Sequence, residues 1–81
     1  MAHVVVGSEC WPFTGGASVF DLEAATVREL IAVLDARFPG LGEFIDRKMA
    51  FAIDGEIHQD AWFSKITPTS EVVLIPKIGG G

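Results

Sequence analysis

The chain has 81 residues, 49% of them hydrophobic, and sets eleven acidic side chains against six basic ones for a net charge of −5. That length holds one domain. The acidic balance and scattered basic residues argue against nucleic acid or an anionic membrane surface as partner, and no apolar run approaches the ~20 residues a membrane-spanning helix needs. The lone Cys10 has no internal disulfide partner, and Met1-Ala2-His3-Val4 lacks the basic flank of a signal peptide, so the expected location is the cytosol.

In chain order, His3–Gly7 and Ala17–Leu22 are apolar runs separated by Pro12 and the Gly15-Gly16 pair, which predicts two strands joined by a loose hairpin. Alternation puts Phe20 and Leu22 on the core face of the second strand. The unbroken Val4-Val5-Val6 predicts a central strand buried on both faces. Thr26 stands three residues before Glu29, the spacing of a capping box, so a helix starts there. Val27, Leu30, Ile31, Leu34 and Phe38 follow as its apolar stripe, and Pro39-Gly40 ends it. Leu41–Lys48 predicts a short second helical segment with Leu41, Phe44 and Ile45 inward.

Met49, Phe51 and Ile53 alternate with Ala50 and Ala52, and Asp54-Gly55 then supplies a type I′ turn into a strand over Glu56–His58. Gln59–Ser70 is expected to be irregular, with Trp62, Phe63 and Ile66 dipping into the core and a turn at Thr67-Pro68. Val72–Ile75 is the closing strand. Hairpin, helix, hairpin and final strand make an α+β domain, the helix stripe covering one face of the sheet. The whole chain, 1–81, reads as that domain with a flexible glycine tail over 79–81.

Side-chain chemistry is sparse. His3, His58 and Cys10 are spread over separate elements and are expected to be ordinary surface or packing residues rather than metal ligands or nucleophiles. Asp54 and Glu56 flank a turn glycine and belong to the turn. Gly15-Gly16 has no following helix to present amides to a phosphate. The unusual feature is the end: Pro76, Lys77 and Ile78 lead into Gly79, Gly80 and Gly81. A run of glycines ending in a carboxylate is thin enough to enter a narrow channel that any Cβ would block.

Three segments carry a family resemblance. They are Thr26-Val27-Arg28-Glu29-Leu30-Ile31 running to Phe38-Pro39-Gly40-Leu41; Ala52-Ile53-Asp54-Gly55-Glu56; and Glu71-Val72-Val73-Leu74-Ile75-Pro76-Lys77-Ile78 leading into Gly80-Gly81. Over nearly its full length the chain resembles the ubiquitin-like sulfur carriers of the MoaD/ThiS family, the molybdopterin synthase small subunit more than the thiamine carrier. Thr69-Ser70 stands where that family often has Gly-Asp, and the Glu9–Gly16 loop has no counterpart in it.

The resemblance implies a β-grasp fold with a mixed sheet of about five strands and one main helix on one face. It implies a carrier rather than a catalyst, with no bound cofactor. The Gly81 carboxylate, following Gly80, would be adenylated with ATP by an E1-like enzyme and converted to a thiocarboxylate. The large subunit of molybdopterin synthase, or an equivalent acceptor enzyme, would then receive the sulfur. Phe51, Val73, Pro76, Lys77, Ile78 and Gly79 are the candidate partner contacts, with Trp11, Phe13 and Trp62 as further aromatic candidates; for Phe51 and Val73 the alternative is plain core packing. Lys77 beside the tail would either pair with an acidic partner groove or stay solvated. A carrier for thiamine or another metabolite, a modifier forming isopeptide bonds, and an interaction module with an inert tail are the other readings.

Overall fold

A computed structural model describes residues 1–58 and 64–77 of the protein. Strand β1, Ala2–Val5, pairs antiparallel with β2, Val19–Leu22, and parallel with β5, Glu71–Pro76. β5 also pairs antiparallel with β3, Met49–Ile53, which continues through a tight turn into β4, Glu56–His58. The resulting mixed sheet runs β2-β1-β5-β3-β4. With its helices packed on one face it is the expected β-grasp.

The centre of the sheet differs from the sequence expectation. It is β5, and β1 is not buried on both faces: Val4 is inaccessible whereas His3 and Val5 are half-buried. Three identical valines conceal an ordinary period-two alternation, and Val6 already lies past the end of the strand. The loose hairpin is also replaced by ordered structure. A 3-10 turn, Ser8–Cys10, leads into a one-turn helix α1, Trp11–Thr14. Pro12 sits in its first turn, where its missing N–H costs nothing, and Gly15 ends it at φ 71°. Residues that read as loop punctuation are thus a helix start and stop.

Helix α2 spans Val27–Arg37. The Thr26 hydroxyl accepts from the Glu29 N–H at 3.2 Å, and the Glu29 carboxylate accepts from the Ala25 N–H at 2.8 Å, so the capping box closes one residue further out than its usual form. Residues 64–66 run alongside this start: Val27 N–H donates to the Ser64 carbonyl and Ile66 N–H to that of Ala25. α3, Leu41–Lys48, follows after Gly40 at φ 95°. One Asp35 carboxylate oxygen accepts from both Gly40 N–H and Gly42 N–H and ties the two helices together. Asp54 and Gly55, at φ 48° and 87°, form the predicted type I′ turn.

Val27, Leu30, Ile31 and Leu34 of α2 join Leu41 and Ile45 of α3 in one core with Val4, Phe20, Leu22, Met49, Phe51, Ile53, Val72 and Leu74 of the sheet. Ile66 is buried with them, while Trp62 and Phe63 lie outside the described residues. No helix among the described residues is long and apolar enough to cross a membrane.

Candidate functional site

Three features of the fold bear on a site: the open face of the sheet, the root of the glycine tail, and the clefts around the helices. The sheet alternates, so every second residue of each strand faces away from α2 and α3. Register then lines up Val19, Val5, Val73, Ala52 and Ile57, one per strand, across all five strands. At ~4.8 Å per strand step this row spans about 19 Å. Its two ends are open, Val19 at 54% and Ile57 at 58% exposure. Ala50 and Ile75 form the next row towards the tail, where the face is no longer open: Ala50 is 1% exposed and Ile75 half-buried. On the other side, Asp21, His3 and Glu71 form a polar row, with His3 Nδ1 and Asp21 Oδ1 3.2 Å apart.

Register gives each sheet candidate a side. Val73, half-buried, lies on the face turned away from the helices. Phe51 does not: it is 4% exposed and packs in the core, because register pairs it with Leu74 on the helix-facing side. The open-face residue next to it is Ala52. Val5, Val19, Ile57 and Ile75 belong to the same surface, and only strand register reveals them. Phe13 is half-buried, its ring 5.2 Å from that of Phe44, and docks α1 on α3. Trp11 remains 46% exposed, its indole N–H donating to the Ser18 hydroxyl at 3.0 Å.

Pro76 closes β5 opposite Met49, and Lys77 follows it, exposed. Exposed as it is, Lys77 makes two hydrogen bonds within the protein. Its main-chain N–H donates to the Lys48 carbonyl at 3.0 Å and its Nζ donates to the Asp46 carbonyl at 2.8 Å, both at the C-terminal end of α3. Ile78, Gly79, Gly80 and Gly81 lie outside the described residues, as does Trp62.

The remaining chemistry is modest. Cys10 is fully buried, and that burial, reinforced by the Glu9 carboxylate, pushes its thiol above the ordinary value. Among the described residues, no three His, Cys, Asp or Glu side chains converge to hold a metal ion. A groove of about 560 Å³ between α2 and α3 is lined by Arg28, Ile31, Asp35 and Glu43. Its Asp35 carboxylate is engaged with the Gly40 and Gly42 amides.

The sequence matches the ThiS family over residues 8–81. No curated protein matches it. Among solved structures, a chain of the Amycolatopsis orientalis BexX/CysO complex superposes with a TM-score of 0.85 at 18% identity, covering all of both chains. Mycobacterium tuberculosis CysO, described as an antigen, gives 0.84 at 18% identity, with 96% of this chain and 100% of that one covered. Small archaeal modifier protein 1 (SAMP1) from Methanosarcina acetivorans gives 0.78 at 17% identity, covering 99% and 95%.

Proposed function

Since the chain belongs to the ThiS family of small ubiquitin-like sulfur carriers, we propose that it carries sulfur as a thiocarboxylate on Gly81, with Gly80 as the slender approach to it. A carboxylate oxygen of Gly81 attacks the α-phosphorus of ATP on an E1-like enzyme, releasing pyrophosphate and leaving an acyl-adenylate. A persulfide sulfur then displaces AMP at the same carbon, and thiol cleavage of the resulting acyl disulfide leaves the thiocarboxylate. ATP is the activating enzyme's substrate, and the carrier itself supplies no catalytic side chain. The observation that carries this reading is the family match, which runs unbroken through the last strand and the glycines to residue 81.

The open sheet face is the proposed docking surface, with Val73 at its centre and Val19 and Ile57 at its ends. In sequence, Pro76, Lys77, Ile78 and Gly79 connect the last strand to the reactive terminus. The proposed acceptor is the molybdopterin precursor held by the large synthase subunit. A second acceptor class, another sulfur-requiring metabolite, is favoured by the structural likeness to CysO in complex with BexX. The likeness to a modifier protein favours a different end point, an isopeptide bond to a lysine of a target.

Intact-mass analysis separates these. Incubation with ATP, an E1-like enzyme of the host and a sulfur source exchanges one oxygen of the carrier for sulfur. Addition of each acceptor enzyme with its precursor then shows which one returns the carrier to its starting mass. A modifier would instead be found joined to other proteins.

A further inference from the structure

β5 is held from two sides only over part of its length: β1 pairs with Glu71–Val73, whereas β3 pairs with Val72–Pro76. Pro76 faces Met49 in a pair that needs no N–H of its own, and the ladder runs one rung further, to Lys77. The next described residue is fastened twice, once by the next rung of the β3–β5 ladder and once by its side chain. Lys77 N–H donates to the Lys48 carbonyl and Lys77 Nζ to the Asp46 carbonyl. Both acceptors are among the last carbonyls of α3, which no intrahelical N–H can reach. These carbonyls carry the negative end of the helix dipole, which favours an ammonium group.

We propose that Lys77 is a positioning residue: it clasps the root of the tail to the end of α3 and so fixes where, and in which direction, the reactive terminus leaves the scaffold. The inference rests on the carrier reading above. An exposed lysine ordinarily keeps its rotamer freedom, because one surface contact seldom offsets the loss. Here the main-chain bond of the same residue already holds its Cα beside the helix end, so the side chain has less freedom left to lose. Four residues then separate the clasp from the carboxyl group of Gly81, a reach of at most about 14 Å in an extended chain. A partner docked on the sheet must place its activating centre within that radius. A root free to swing would dilute the correct approach among many others.

The test compares wild type with Lys77→Met and Lys77→Arg in two measurements. The first is hydrogen exchange of the amide at position 77, read against Val72 and Leu74 in the free protein. The second is steady-state thiocarboxylate formation by the activating enzyme with the carrier as varied substrate. Lys77→Met removes the donor while keeping the length. It is expected to speed exchange at 77 about threefold or more with the strand amides unchanged, and to lower turnover about three- to tenfold at unaltered KM. Lys77→Arg, which retains a charged donor, should fall between the two. A residue that served only the fold would change exchange and turnover only together with the thermal midpoint, and that result overturns the proposal. Unchanged exchange at 77, or a KM that rises at constant turnover and worsens with salt, overturns the proposal, the latter by making Lys77 a direct partner contact. If wild type itself gains no sulfur, the carrier reading fails, and the exchange comparison alone decides whether Lys77 holds the tail root.

Discussion

At Thr26 a single hydroxyl decides where the long helix begins. Its acceptance of the Glu29 N–H answers one of the unpaired amides of the first turn. Thr26→Ala is expected to cost about 1 kcal/mol, read as a lowered urea midpoint at unchanged m-value. Cys10 shows the opposite relation between legibility and role. From sequence it is a thiol in a loop, whereas in the fold it is a buried hydrophobe behind a 3-10 turn. Its raised pKa means the folded state holds the thiol proton more tightly than the unfolded state does. The corresponding stability is therefore full below the unfolded value of about 8.5 and is lost as the pH rises from there through the folded value. Thiol-reactive probes at pH 7 should label native protein far more slowly than urea-unfolded protein, and equal rates would show that the side chain is accessible.

At the scale of elements, the bounds of α2 and α3 and the tight turn were legible because local chemistry fixes them: the Thr26 cap, the Pro39-Gly40 stop and the Asp54-Gly55 turn all appear where residue types require them, whereas the single turn of α1, too short for an apolar stripe, read as loop. Properties set between elements were not. Phe51 reads equally well as a core residue or an open-face anchor until pairing with Leu74 assigns its side. The row Val19-Val5-Val73-Ala52-Ile57 gathers residues from distant parts of the chain, and no local pattern announces it. Gly42 is similar. A Cβ there would lie 2.9 Å from the Cβ of Asp35, so the glycine sets how closely α2 and α3 approach. Gly42→Ala should destabilise by about 1–3 kcal/mol through overpacking, measurable by denaturant unfolding. On the open face, Val73→Asp and Ile57→Asp should weaken binding to the activating enzyme about tenfold or more, with the unfolding midpoint nearly unchanged for the exposed edge residue Ile57 and lowered for the half-buried, central Val73. Equal binding by both variants would move the docking surface elsewhere.

On the scale of the whole molecule, the architecture separates two tasks. The sheet turns one apolar row away from the helices, and the proposal uses it as the docking surface. The last strand carries the chain from the middle of that sheet to the end of α3, where Lys77 fastens it before the glycines. In the proposed function this scaffold supplies position, and the chemistry is done at the chain end by another enzyme. The candidate terminus, Gly80-Gly81, could be read from sequence because it is a matter of composition and position. The clasp at its root could not, because it joins Lys77 to main-chain carbonyls 31 and 29 residues earlier, at Asp46 and Lys48. The most direct test of the account is the intact mass of the protein after exposure to an E1-like activating enzyme, ATP and a persulfide donor. The account predicts replacement of one oxygen by sulfur, localised by fragmentation to Gly81 and abolished when Gly80 and Gly81 are deleted. A mass that never changes with any such enzyme of the host, or a sulfur found on Cys10 instead, would contradict it.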